Sequence, residues 1–527
     1  MTFISWQYAL FLPAVVLAYW LVPWRGRILL LLGASYFFYG MWDARFLALL
    51  STTTIVDFFG VLAIAGRKEP MMKIIGIGFL PLVWLLGCRF FATSQAAVTH
   101  GIIFAAVFLP ILYVTLYQLL WRLPVEKQRR AFLILSLCSN LGALGFFKYF
   151  NFFAGSLSHL LTHLGWDPGW TLPHIILPIG ISFYTFQSIS YAVDVYRGTA
   201  KPSHDFFTFA AFVSFFPQLV AGPIERRNDL LPQLEMPRKF EITDIHLGLR
   251  LILIGLFKKI FVADNCAMLV NYAFDPKTVL NGPWALLGVL AFAFQIYGDF
   301  SGYTDIARGS ARLLGVQLNR NFLFPYFASS PSDFWRRWHV TLSFWFRDYV
   351  YIPLGGNRDG LLMTFRNLWI TMLLAGLWHG ARWTFVMWGA YYALLLTLYH
   401  AVPALNRLSD PEKNSPGRRI AGALLMFALT LVGWAIFRSD SIAQLEGWFA
   451  ALGNWNPRVA TDWIKPGCWW LLHVGPLLLL QAATWKARDE MELGRFSWPV
   501  RGLIYTLLFL LVSGSVAPDV EFIYFQF

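Results

Sequence analysis

The chain has 527 residues, of which 57% are hydrophobic and only 13% charged. Soluble globular proteins carry about 25% charged residues, so this composition excludes that class. The net charge of +13 reads as Lys and Arg gathered in the cytoplasmic loops of a membrane protein. With no basic tail or RNA-binding motif, it gives no reason to expect nucleic acid as a partner.

Aromatic residues are 18% of the chain, with 24 Trp, which fits rings held at the two membrane–water interfaces. Cys88, Cys138, Cys266 and Cys468 are scattered and mostly in apolar surroundings. No two stand at metal-ligand spacing, so neither a disulfide framework nor a zinc site is expected. The first apolar run has no basic residue before it and no small-residue cleavage site. It is therefore expected to stay as a helix rather than leave as a signal peptide.

In chain order, the first two apolar segments cover residues 8–22 and 28–41. A third ends before Arg67, Lys68 and Lys73, and a fourth is followed by Arg89 alone. A fifth, at 102–120, precedes Arg122, Lys127, Arg129 and Arg130, and a sixth ends near Lys148. The loops after odd-numbered segments are the more basic, which puts them in the cytoplasm and the amino terminus outside. An outer loop is expected over 151–173.

Residues 177–187 are apolar but interrupted by Pro178 and Gly180, and they carry the polar Ser182, Tyr184, Thr185 and Gln187. A broken helix survives at membrane depth only where it is buried in protein or lines a cavity. A kinked packing helix and a cavity wall both satisfy that condition. Residues 215–224, cut by Pro217 and Pro223, are short for a span and predict a re-entrant or interfacial piece.

Further helices are predicted over 246–262, with Lys258 and Lys259 near the end, and over 284–297, leading to Asp299 and Asp305. Two carboxylates beside an apolar helix need partners, and Arg308 and Arg312 are the expected ones. Helices at 384–398, 421–437, 469–480 and 503–512 complete the chain, with a soluble loop at 404–419. In all, about 11 to 14 membrane-embedded helices are expected. They form one membrane domain over 1–527, with amino-terminal helices at 1–150, a core at 174–400, and carboxyl-terminal helices and an aromatic tail at 420–527. No repeat or duplication of halves is visible, unlike common transporter folds.

Chemistry concentrates between 330 and 380. Ser330 can cap a helix with Pro331 at its first position and Asp333 at its third. In the helix that follows, Trp335 and His339 are four apart and share a face, with Arg336 and Arg337 turned away. Such a helix is expected to lie at the interface. Its arginines either snorkel to lipid headgroups or dock an acidic donor, such as the phosphates of coenzyme A or of a pantetheine arm. Residues 354–358, Leu-Gly-Gly-Asn-Arg, read as a tight turn and lack the spacing of a phosphate-binding loop. His379 ends an apolar stretch, boxed by Trp378 and Gly380. A lone histidine at a helix end is ordinarily a structural group. A second imidazole at His339, in an equally unusual aromatic and basic setting, points instead to a general base for activating a hydroxyl. A metal pair would need a third ligand, and none stands at useful spacing.

At these residues the chain resembles the membrane-bound O-acyltransferase family, and most of all its bacterial polysaccharide branch, which includes alginate O-acetylation. The resemblance is carried by Phe334-Trp335-Arg336-Arg337-Trp338-His339, Arg347-Asp348-Tyr349, Pro353-Leu354-Gly355-Gly356-Asn357-Arg358 and Trp378-His379-Gly380. Leu177-Pro178-Ile179-Gly180-Ile181-Ser182-Phe183 and Ala221-Gly222-Pro223 belong to it as well. An insertion over about residues 66–130 looks longer than in the alginate branch, which leaves the polymer open.

The resemblance implies an all-α polytopic membrane protein: a ring of tilted helices around a transmembrane tunnel, with re-entrant and interfacial helices. It implies that His379 is the central catalytic histidine and His339 the second, on the cytoplasmic half, with Arg336, Arg337, Trp338, Arg358 and Trp378 around the donor. The donor would be cytoplasmic acetyl-CoA, with no permanently bound cofactor. The acetyl group would cross the bacterial inner membrane, among its lipids, to a periplasmic serine-esterase-like (SGNH) transferase. That partner would place it on an exported or cell-envelope polysaccharide.

The aromatic tail at 521–527 resembles a terminal motif of cell-envelope acylation systems. Tyr524 is then either an acyl relay deprotonated by His379 or an anchor at the membrane surface. Two other functions remain in view: transfer of D-alanine or another acyl group to a cell-wall polymer, and non-enzymatic transport. No charged relay runs through successive helices, which counts against transport.

Overall fold

The computed structural model describes residues 1–91, 100–166, 169, 175–220, 222–406, 415–455, 462–485, 493–515 and 520–523. Every regular element among them is a helix. Among the described residues, five helices are long and apolar enough to cross a bilayer: Phe46–Ile64, Val125–His163, Gly282–Leu313, Leu361–His379 and Pro416–Arg438. Shorter apolar helices include Trp6–Leu21 and Trp498–Ser513. This is the pattern of an all-α polytopic membrane protein. The chain divides into two compact units, one of Met1–His246 with Ser310–Leu318, the other of Leu247–Gly309 with Asn319–Phe527.

In the first unit, Trp6–Leu21, Trp24–Asp43, Phe46–Ile64 and His100–Leu120 stand where apolar segments predict them, and the fourth segment is split into Met71–Gly78 and Leu80–Phe91. The sixth helix does not end near Lys148. Val125–Leu144 runs through a π turn, Gly145–Tyr149, into Phe150–His163. No proline lies in this stretch, and a single lysine does not stop a helix. The expected outer loop therefore begins only after His163.

The Phe46–Ile64 helix is buried nearly all round and carries Asp57. Ser136 Oγ and Asn140 Nδ2 donate to Asp57 Oδ1 at 2.6 and 2.8 Å, which gives one oxygen of this buried carboxyl two partners in a setting where polar groups are costly alone.

In the interrupted stretch at 177–187, residues 181–187 are buried. Gly180 has φ 77° and precedes Ile181–Arg197. A side chain there would meet the Leu219 carbonyl at 2.5 Å, so glycine serves both the left-handed backbone and the close approach. Gln218 Nε2 donates to Gln187 Oε1 at 3.1 Å and to the Phe212 carbonyl at 2.9 Å. Phe216–Leu219 is a four-residue buried helix.

In the second unit, the helix expected to end at 262 continues. Ile242–Leu256 passes through a π segment, Phe257–Ala263, into Asp264–Ala273. The helix expected over 284–297 spans Gly282–Leu313 and takes Asp299 and Asp305 inside it. The two run together through glycine contacts. A side chain on Gly302 would lie 2.7 Å from the Gly255 carbonyl, and one on Gly298 would lie 2.7 Å from the Lys258 carbonyl. Small residues at a crossing let backbones approach.

The approach brings Lys258 Nζ to 2.9 Å from Asp305, and Lys259 Nζ to 2.9 Å from Asp299 and 2.7 Å from Asp264. Of the expected arginine partners, Arg308 pairs with Asp305 at 3.1 Å, while Arg312 pairs with Asp244 at 2.8 Å. Asp299 is paired by a lysine 40 residues away, which the sequence presented as a helix-end cation.

Leu361–His379 and Trp383–Ala401 form a tight hairpin. A side chain on Gly376 would overlap the Phe385 carbonyl, and one on Gly389 the Met372 carbonyl. His379 is the last residue of the first arm. A side chain on Gly380 would run into the Phe385 ring.

Candidate active site

The site grows from the cap at Ser330. Its hydroxyl accepts the Asp333 N–H at 3.2 Å, with Pro331 at the first helical position. The reciprocal bond goes one residue further back, from the Ser329 N–H to Asp333 Oδ2 at 3.2 Å. The helix so started is short, Pro331–Trp335. The expectation that Trp335 and His339 share a helical face is therefore overturned. The segment 321–323 takes the backbone groups that a longer helix would need. Leu323 N–H donates to the Arg337 carbonyl at 3.0 Å, and Val340 N–H to the Asn321 carbonyl at 3.0 Å. Asn321 Oδ1 accepts from the Thr341 N–H and hydroxyl at 3.2 and 2.6 Å.

His339 sits between these bonds at φ 42°, one of two non-glycine residues with positive φ among those described. A left-handed non-glycine residue costs on the order of 1–3 kcal/mol and persists where surrounding structure over-determines it. The ring is fully buried. Phe300 lies edge-on with ring centroids 4.7 Å apart, and Trp378 lies 5.8 Å away. Burial pulls the imidazole down from its ordinary 6.5 to about 3, so the ring is neutral at physiological pH.

His379 comes from the hairpin arm and is also buried. Its ring lies 5.0 Å from Trp378, 4.8 Å from Trp388 and 5.3 Å from Phe437. The two imidazoles, 40 positions apart in sequence, thus touch the same indole, that of Trp378.

The other predicted residues separate into two groups. Trp338 is 1% exposed and packs against Phe322, Trp434, Phe334 and Tyr326 at centroid distances of 5.0, 4.8, 5.7 and 6.1 Å. Arg337 is half-buried and donates to Asp333 at 2.8 Å. Arg336 and Arg358 are exposed, and Arg336 Nε donates to the Ser332 carbonyl at 3.2 Å. The Gly355–Gly356 turn has φ 113° and 60° and is tied down by Asn367 Nδ2, which donates to the Gly356 carbonyl at 2.9 Å. Tyr524 lies outside the described residues.

Asn321, Phe300, Trp388 and Phe437 shape the site without having been singled out from sequence. Each carries an ordinary core or loop signature, and only the tertiary contact marks it. The arrangement excludes water from two imidazoles and gives them aromatic walls. Interactions with developing charge strengthen in such surroundings, and a neutral imidazole can take a proton from a hydroxyl.

A model of the membrane-bound O-acyltransferase family (MBOAT) matches residues 201–430. The chain is 37% identical over 450 residues to the probable alginate O-acetylase AlgI of Pseudomonas putida, covering 85% of this chain and 79% of the relative. It is 37% identical over 340 residues to the peptidoglycan O-acetyltransferase of Helicobacter pylori, covering 60% of this chain and 63% of that one. A teichoic acid D-alanyltransferase of Bacillus subtilis is 27% identical over 278 residues, covering 50% and 70%. With the helices of an all-α polytopic membrane protein and a relative this similar over most of both chains, the protein belongs to the membrane-bound O-acyltransferase family and is a multi-pass membrane O-acyltransferase.

Proposed function

We propose that the protein moves an acetyl group from cytoplasmic acetyl-CoA across the bacterial inner membrane for O-acetylation of an exported or cell-envelope polysaccharide. The observation that carries the mechanism is the pair of buried imidazoles, His339 and His379, in contact with one indole. The acetyl choice is supported by the two O-acetylating relatives, which are more similar to this chain than the D-alanyltransferase. The basic loops after odd-numbered segments support an amino terminus on the outer side.

In this reading His379 is the general base. It takes the proton of the accepting hydroxyl as the oxygen bonds to the thioester carbonyl carbon. The carbon–sulfur bond then breaks, and the coenzyme A thiolate leaves with the proton returned by the imidazolium. The Tyr524 phenol is the candidate relay hydroxyl. A periplasmic serine-esterase-like transferase receives the group from it and places it on the polymer. Neutral His339 lines the donor side. The exposed Arg336 and Arg358 meet the donor's phosphates, Trp378 walls the acyl group, and Arg337 and Trp338 hold the shape of the site.

The test is His379→Ala, purified in detergent and supplied with acetyl-CoA carrying a labelled acetyl group. Loss of a general base should lower the rate of transfer by about 10²- to 10⁴-fold, with the protein still inserted. Undiminished polymer acetylation in cells carrying this variant would overturn the mechanism. Mass spectrometry of the polymer showing alanyl in place of acetyl groups would overturn the choice of acyl group and leave the mechanism standing.

A further inference from the structure

The buried lysine and aspartates of the second unit do more than neutralise one another. Lys259 Nζ, paired with Asp299 and Asp264, also donates to the carbonyl of Val520 at 2.7 Å. Asp299 Oδ2 accepts the Ile523 N–H at 2.7 Å. One ion cluster therefore grips two backbone groups of the same short segment, three residues apart.

A third tie lies just upstream, where Asn265 Nδ2 donates to the Ser515 hydroxyl at 3.0 Å. Lys259, Asp264 and Asn265 lie within seven consecutive positions on the π segment and the start of the helix after it. Between the two gripped groups, Phe522 is 1% exposed. Its ring is 4.2 Å from Tyr303 and 6.0 Å from Phe300, and Phe300 is the ring set edge-on to His339 at 4.7 Å.

We propose that Lys259 and Asp299 are positioning residues of the acyl-transfer site. They clamp the backbone of Val520 and Ile523, and so seat Phe522 behind the wall that holds His339. This deepens the acyl-transfer reading and rests on it. Burying an ammonium and two carboxylates for packing alone is poorly rewarded, because apolar residues of the same volume do as well or better. What apolar residues cannot supply is a donor for the Val520 carbonyl and an acceptor for the Ile523 N–H, two buried peptide groups that need partners. The cluster meets both needs at once.

The clamp is tested on the full-length protein in detergent with two pairs of variants. Asp299→Ala removes the acceptor for the Ile523 N–H, whereas Asp299→Asn keeps it, and in both Lys259 retains Asp264. Phe522→Ala leaves the ion cluster intact and removes only the ring, and Phe522→Leu restores most of its volume. Carboxypeptidase digestion followed by intact-mass measurement reads whether residues 520–523 stay on the chain. Acetyl transfer from acetyl-CoA reads kcat and KM.

We expect native protein and Asp299→Asn to retain the segment, and Asp299→Ala to lose it. We expect Asp299→Ala and Phe522→Ala to lower kcat at least tenfold with the KM for acetyl-CoA within twofold, and Asp299→Asn and Phe522→Leu to recover most of the rate. Retention of the segment in Asp299→Ala, or its release with unchanged kcat, would overturn the proposal. A native protein that retains the segment yet transfers no acetyl group would refute the acyl-transfer reading and the positioning role, while the digestion result would still stand for the clamp.

Discussion

His339 shows how one residue can be legible in type and hidden in conformation. Its chemistry was visible in the sequence, since an imidazole between aromatic and basic neighbours is unusual in an apolar chain. Its left-handed backbone was not, because Asn321, 18 positions upstream, imposes it through bonds to Val340 and Thr341. Asparagine tolerates this conformation far better than alanine does. His339→Asn should therefore keep the fold where His339→Ala loses stability, and both should lose activity. Thermal melting in detergent beside the acetyl-transfer assay checks this.

The same residue gives a pH dependence. The buried ring resists protonation until about pH 3, whereas the unfolded chain takes up that proton near 6.5. The unfolded state binds more protons within that window, so stability rises with pH across it and is flat above. Melting curves of His339→Asn should fall less steeply than those of the native protein as pH drops from 6.5.

At the scale of elements, the apolar cores of the helices were legible and their ends were not. Hydropathy located residues 284–297, yet the helix runs on to Leu313, because charged residues with partners continue a helix as readily as apolar ones. The ion pairs were half legible. Asp305 with Arg308 follows from helical spacing, but Asp299 with Lys259 requires two helices to be laid together, which no single-helix pattern contains. The glycines are what lay them together.

The hairpin of Leu361–His379 and Trp383–Ala401 depends on the same device, and His379 rides on its end. Gly376→Ala would drive a methyl group into the Phe385 carbonyl. We expect a loss of about 1–3 kcal/mol of stability from the overpacking and a fall in activity as His379 shifts. Gly447→Ala, where nothing lies within 4 Å of the added atom, should leave both intact or gain slightly from helix propensity. Parallel melts and rate measurements on the two variants decide it.

For the whole molecule, membrane class followed from composition, because 13% charged residues cannot cover a soluble surface of this size, and the helices followed from apolar runs long enough to span. The partition into two compact units was not visible. It joins Ser310–Leu318 to the first 246 residues, and nothing in the local sequence announces that return. The direction of the chain through the bilayer rests on loop charge. Fusing alkaline phosphatase and a fluorescent protein in turn to the amino terminus and to the loops after Arg67 and Arg122 should give an external amino terminus and cytoplasmic loops. The reverse pattern would require the donor side of the site to be reassigned.

The pairing of Lys258 and Lys259 with aspartates on another helix also constrains how the protein is made. Lys259 finds Asp264 and Asp305 finds Arg308 within its own helix, so the ion pairs that need both helices are Lys258 with Asp305 and Lys259 with Asp299, and a charge left in hydrocarbon without such a pair costs on the order of 3 kcal/mol. Released together, the two helices would complete these pairs before either meets lipid. The stretch from residue 242 to residue 313 is thus expected to insert as one unit, with Lys258 settling only after Asp305 has been made.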